Sequence, residues 1–169
     1  MKYRCLDHTS DLGLEIFGKD LPELFRNAGF ALFDNIVDLS AVVARESQHM
    51  ELHSATREEL FLDWLRELLF RFSSEYFVVK EVTDVRIARG QEPGVRGQGS
   101  GGETKSEVRN QKLEVRSPDR EWSLEAAVRG EKFDPQRHRV KIEIKTPTYH
   151  MFSITQDANG YKATVIFDV

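Results

Sequence analysis

Apolar positions along the chain recur with two periods, and the period separates helix from strand. Lys2–Leu6 and Leu12–Phe17 predict short strands, the second with Leu12, Leu14 and Ile16 on one face. Asp20 is a candidate helix cap and Pro22 sits in the first turn, where its missing N–H costs nothing. Leu21, Leu24, Phe25, Ala28, Leu32 and Ile36 then fall at three- and four-residue steps, which predicts a core-facing stripe. Ser47–Ser54 alternates, with Met50 and Leu52 opposite His49, Glu51 and His53, as a half-buried strand does. Thr56 and Glu59 have the spacing of a capping box, and a second helix follows with Phe61, Trp64, Leu65, Leu68 and Phe72 on one side. Phe77–Ala88, Lys112–Arg116, Trp122–Val128, Arg139–Lys145, Tyr149–Ile154 and Tyr161–Phe167 all read as strands. Two amphipathic helices among runs of strands predict a single α+β domain built on largely antiparallel sheet.

Residues 89–106 break the pattern. Gly, Ser, Gln and charge dominate there and Val95 is the sole apolar residue, so the segment reads as a flexible insertion within one domain spanning 1–169. Gly97, Gly99 and Gly102 spell the dinucleotide fingerprint, but neither a buried strand before them nor a helix after them is predicted.

Composition narrows the class. The 169 residues carry 24 Lys plus Arg against 28 Asp plus Glu, a net charge of −4, which argues against a protein gripping nucleic acid with its whole surface. One cysteine, Cys5, excludes an internal disulfide and predicts a reducing, cytoplasmic setting, and its strand context reads as that of an inert buried thiol. The most apolar run, Leu60–Phe72, is broken by Asp63, Arg66, Glu67 and Arg71, and no leader precedes the first strand, so no membrane partner is expected.

The chemistry-bearing residues fall into few groups. His49 and His53 share a strand face with Glu51, but four residues of strand separate the histidines by about 13 Å, too far to share an ion. Arg137, Arg139, Lys141 and Lys145 form a basic row opposite Val140, Ile142 and Ile144, interrupted by Glu143, which reads as a charged outer face or a phosphate contact. The richest stretch is Asp7-His8-Thr9-Ser10-Asp11-Leu12-Gly13, where carboxylates, an imidazole and hydroxyls crowd a turn between strands. The other is the final strand, which stops at Asp168-Val169 and so sets a terminal carboxylate beside an aspartate. Adjoining negative groups favour a cation between them, and hard oxygen donors suit calcium, magnesium or manganese. The competing reading is an Asx turn and a solvated chain end.

The first of those stretches, together with Gly18-Lys19-Asp20-Leu21 and Leu32-Phe33-Asp34, resembles the archease family. So do Gly130-Glu131-Lys132-Phe133-Asp134-Pro135, His138, Lys145, Thr148-Tyr149-His150 and the ending Val165-Ile166-Phe167-Asp168-Val169. The resemblance covers nearly the whole chain in order. It lapses across the Gly-rich insertion, where the family has a shorter connection, and Ser10 stands where alanine is common. It implies a small α+β accessory protein, itself not an enzyme, that activates an RtcB-type GTP-dependent tRNA-splicing RNA ligase. The activator promotes transfer of GMP from GTP to the ligase's histidine and allows multiple turnover. The resemblance further implies a divalent site, most readily calcium, at Asp11, Asp168 and Val169, with Lys145, His150 and His8 as contacts for the partner or nucleotide and any RNA contact indirect. An association with tRNA cytosine methylation is the family's second implication, and a metal-dependent nucleotide hydrolase using the same carboxylates is the alternative from another class.

Overall fold

The computed structural model describes residues 1–6, 10–90 and 121–169. The predicted strand Lys112–Arg116, most of the Gly-rich insertion, and Asp7, His8 and Thr9 lie outside them. The described elements run β1 (Tyr3–Leu6), β2 (Leu12–Gly18), α1 (Leu21–Ile36), a short 3₁₀ turn (Leu39–Ala41), β3 (Glu46–Ser54), α2 (Arg57–Glu75), β4 (Phe77–Arg89), β5 (Trp122–Lys132), β6 (Thr146–Asp157) and β7 (Gly160–Asp168). They form two antiparallel sheets, ordered β1-β2-β7-β6 and β3-β5-β4. Each helix packs against both sheets, α1 on β2 and β4 and α2 on β3 and β6. The fold is α+β, as the two side-chain periods require.

Local sequence explains where the helices start. Asp20 accepts from the Glu23 N–H at 2.8 Å, Glu23 accepts in return from the Lys19 N–H at 2.8 Å, and Pro22 sits in the first turn of α1. Thr56 accepts from the Glu59 N–H at 3.1 Å, but among the described residues the reciprocal bond of the expected capping box is absent. α2 ends at Tyr76 with φ of 55°, a left-handed cap made without glycine. Both predicted stripes are buried: Leu24, Phe25, Ala28 and Leu32 of α1 meet Phe61, Trp64, Leu65 and Leu68 of α2 in one core. The Phe25 and Phe61 rings meet edge to face at 5.0 Å, and the Trp64 indole N–H donates to the Phe25 carbonyl at 3.0 Å, fixing one helix against the other. No described helix is long and apolar enough to cross a membrane.

Two expectations need correction. Arg139–Lys145 alternates but is not a strand: it forms one isolated bridge, Val140 with Val37, and otherwise runs extended along the end of α1. Alternation records which way side chains face, and here no second strand lies alongside to complete a ladder. Cys5 is exposed, not buried, because β1 is the edge of its sheet; its sulfur makes a weak contact with Asn35 at 4.0 Å.

Candidate functional site

The end of the first sheet is assembled by register. Leu12 pairs with Phe167 at the end of the β2–β7 ladder; Asp11 precedes Leu12 in a bend, and Asp168 follows Phe167 and is paired with Thr146 of β6. Alternation places Leu12, Leu14, Val165 and Phe167 toward the helices, which leaves Asp168 and Thr146 on the other face. Val169 follows, 40 % exposed.

Lys145 is tied to this end twice. Its N–H donates to the Asp168 carbonyl at 2.9 Å and its ammonium to Val169 O at 3.1 Å. Of the predicted contact residues, Lys145 therefore joins Asp168 and Val169. His150 does not: it sits exposed in the irregular stretch of β6 between Thr148 and Ser153, where Met151 has φ of 55° and Arg66 of α2 lies 5.2 Å over the Tyr149 ring. His8 lies outside the described residues. Among the described residues no group of three or more His, Cys, Asp or Glu side chains converges as a metal cluster, so this end offers two carboxylates and backbone oxygen.

Two other members of the basic row are already committed. Arg137 donates twice to Glu131, at 2.9 and 3.1 Å, and Lys141 lies 2.8 Å from the Asp34 carbonyl and 3.5 Å from its carboxylate. His49 and His53 stay exposed on β3, with His53 2.9 Å from Glu51.

Sequence reasoning missed a buried ionic hub. Glu131, 5 % exposed at the end of β5, accepts from the Val43 N–H at 2.8 Å, from Arg137 and from His138 Nε2 at 3.1 Å, while Arg45 lies 3.3 Å away. His138 Nδ1 accepts from the Asp134 N–H at 2.9 Å, so the ring is held with its proton on Nε2. The hydrogen bonds from Arg137 and Val43, working against burial, hold the Glu131 carboxyl down at about 2. The hub fixes the start of the segment that ends at Lys145. Its one local signal is the spacing of Glu131, Arg137 and His138. The outer face of the first sheet carries a second pair of contacts: burial opposes ionisation of Glu15, but Arg4 and Lys162 bond it and keep its carboxyl below the usual range.

The profile of the Archease protein family (MTH1598/TM1083) matches residues 3–169. The chain belongs to the archease family. Among relatives named protein archease, that of Archaeoglobus fulgidus is 31% identical over 169 residues, covering 100% of both chains. That of Methanosarcina mazei is 31% identical over 168 residues, 99% of this chain and 96% of the relative. The solution structure of Methanobacterium thermoautotrophicum protein 1598 superposes with a TM-score of 0.72 at 28% identity, covering 99% of each chain. The archease assignment thus rests on the full length and on the fold together.

Proposed function

We propose that this archease-family chain is a non-catalytic accessory protein that activates an RtcB-type GTP-dependent tRNA-splicing RNA ligase, promoting the ligase's guanylylation and repeated turnover. The observation that supports the reading is the family match over residues 3–169, and the β2–β7 ladder adds to it by ending at Leu12 and Phe167, the neighbours of Asp11 and Asp168, with Lys145 bonded to Val169 O. Two carboxylates at one end of a sheet would suit a divalent cation if they converge: calcium binds oxygen at roughly 2.3–2.6 Å, so two ligand atoms on one ion stand no more than about 5 Å apart. Asp11, Asp168 and an oxygen of Val169 would hold the ion, and the hard donor set favours calcium, with magnesium or manganese close behind. When bound, such an ion supplies charge compensation and coordination positions for a phosphate. Thr146 fixes Asp168 by strand pairing, Lys145 orients and partly neutralises Val169, and His150 and His8 offer imidazoles to the partner or nucleotide. In this reading GTP belongs to the joint complex, RNA contact is indirect, and the setting is cytoplasmic.

The test is ligase guanylylation with the parent protein, Asp11→Ala and Asp168→Ala. Stimulation is expected to fall by about tenfold or more in each variant, since even partners one shell removed from a metal are worth that much. Full stimulation by both variants would remove the site. GTP hydrolysis by the purified protein alone, lost in Asp168→Ala, would select the hydrolase instead.

A further inference from the structure

A polar pocket of about 330 Å³ opens where α1 meets the start of the chain and β4. Its walls stand close because position 29 is glycine. A Cβ there would lie 2.8 Å from Val82 Cγ2, so α1 approaches β4 more nearly than a side chain would allow. Asn27, 6 % exposed, donates its amide to the Phe17 carbonyl at 2.7 Å and pins the helix to the end of β2.

Three cations line this pocket, and none is paired with a carboxylate among the described residues. The Lys2 ammonium lies 3.9 Å over the Phe30 ring, and Lys80 donates to the Leu39 carbonyl. A ring and a carbonyl are neutral, so both lysines keep their full charge. Arg26 is exposed and has neither a hydrogen-bond nor an ion-pair partner among the described residues. The one carboxylate in the lining, Glu81, accepts from Arg129 at 2.9 Å and is balanced by it. Three uncompensated positive charges thus gather around one small pocket of a chain whose net charge is −4, so the excess is local.

The size of the excess selects the ligand. A carboxylate or a phosphodiester brings a single negative charge, whereas a phosphomonoester or the end of a polyphosphate brings about two, on three acceptor oxygens. A guanidinium fork and two ammonium groups reaching in from three parts of the chain suit such a tetrahedral group. We propose that this pocket binds a terminal phosphoryl group, of a nucleotide or of an RNA end, through Lys2, Arg26 and Lys80. The pocket and the acidic end lie at opposite ends of β2: the Phe17 N–H donates to the Lys2 carbonyl, while Leu12 pairs with Phe167. Five strand steps separate Leu12 from Phe17, about 17 Å, so the proposal stands apart from any role of Asp11 and Asp168.

The probe is pyrophosphate, titrated at constant ionic strength into the ¹⁵N-labelled full chain, with EDTA present to keep divalent ions from the acidic end. Saturable amide shifts are expected at Lys2, around Arg26 and Asn27, and along Lys80–Val82. Arg26→Gln breaks no contact in the folded chain and should weaken binding about tenfold, as should Lys80→Gln. Arg86→Gln removes a cation of the same strand that lies outside the pocket and is 81 % exposed, and should change nothing. Methyl phosphate should bind about tenfold more tightly than dimethyl phosphate, which carries one charge fewer. GTP and a 5′-phosphorylated oligoribonucleotide, the latter compared with its 5′-hydroxyl form, then separate the two sources, and a gain from the 5′-phosphate would make contact with RNA direct. No saturable shift below about 10 mM pyrophosphate would overturn the site. So would equal weakening by Arg26→Gln and Arg86→Gln, which would leave only diffuse charge, or equal binding of the two methyl esters.

Discussion

Replacing Gly130 with alanine tests how closely β5 must approach β4. A Cβ at this position would stand 1.8 Å from the Val78 carbonyl oxygen and 2.8 Å from its carbon, where real contacts do not come closer than 3.0 Å. The neighbour is backbone, so relief requires a strand displacement of at least 3.0 − 1.8 = 1.2 Å. Gly130 pairs with Val79 beside the irregularity between Val79 and Glu81, and its carbonyl also accepts from the Arg45 N–H at 3.0 Å, so both contacts would be disturbed. Overpacking of this kind costs about 1–3 kcal/mol. At about 2–4 °C per kcal/mol for a chain of this size, Tm should fall by about 2 to 12 °C in calorimetry. Glu131 is the next residue, so the displacement should also speed amide exchange at Val43, whose N–H the carboxylate accepts. A Tm within about 1 °C of the parent, with Val43 exchange unchanged, would refute the argument.

The remaining predictions concern charge, the helix contact and the thiol. Because the Glu131 carboxyl is held at about 2 in the folded chain, its contribution to stability is complete above a pH of about 4.5 and is lost as pH falls toward 2. Urea midpoints for Glu131→Gln should therefore be lower at neutral pH and depend less on pH across that window; parallel curves for parent and variant would contradict the hub. Trp64→Phe removes the indole bond to the Phe25 carbonyl and leaves a void, and should cost about 2–4 kcal/mol in urea unfolding with an unchanged m-value. A loss below about 0.5 kcal/mol would mean that the bond carries no stability. Native protein should react with a thiol-specific disulfide reagent at one thiol per chain without denaturant, since Cys5 is exposed, and a reaction that waits for unfolding would show otherwise.

Much of the fold was legible because side-chain period is a local property. The stripes of α1 and α2 and the alternation of β2, β3 and β7 each needed no knowledge of a neighbour. Val140, Ile142 and Ile144 alternate just as well, yet their segment lacks a partner strand along one edge, and nothing local reports that. Cys5 was misplaced for the same reason: a strand pattern does not say whether the strand lies at the edge of its sheet. The acidic residues Asp11 and Asp168 stood out by type, while the pairing of β2 with β7 that sets Leu12 opposite Phe167 is a matter of topology. Glu131 went unnoticed because two of its partners, Val43 and Arg45, reach it from the connection before β3.

The first sheet joins residues 12–18 to 161–167, with β7 inside and β1 and β6 at its margins. During synthesis β2 must therefore wait for β7 before its second edge is covered. The second sheet and both helices can mature on the ribosome before β7 is made, so competence for any task that uses β2 and β7 together arrives only once β7 has formed.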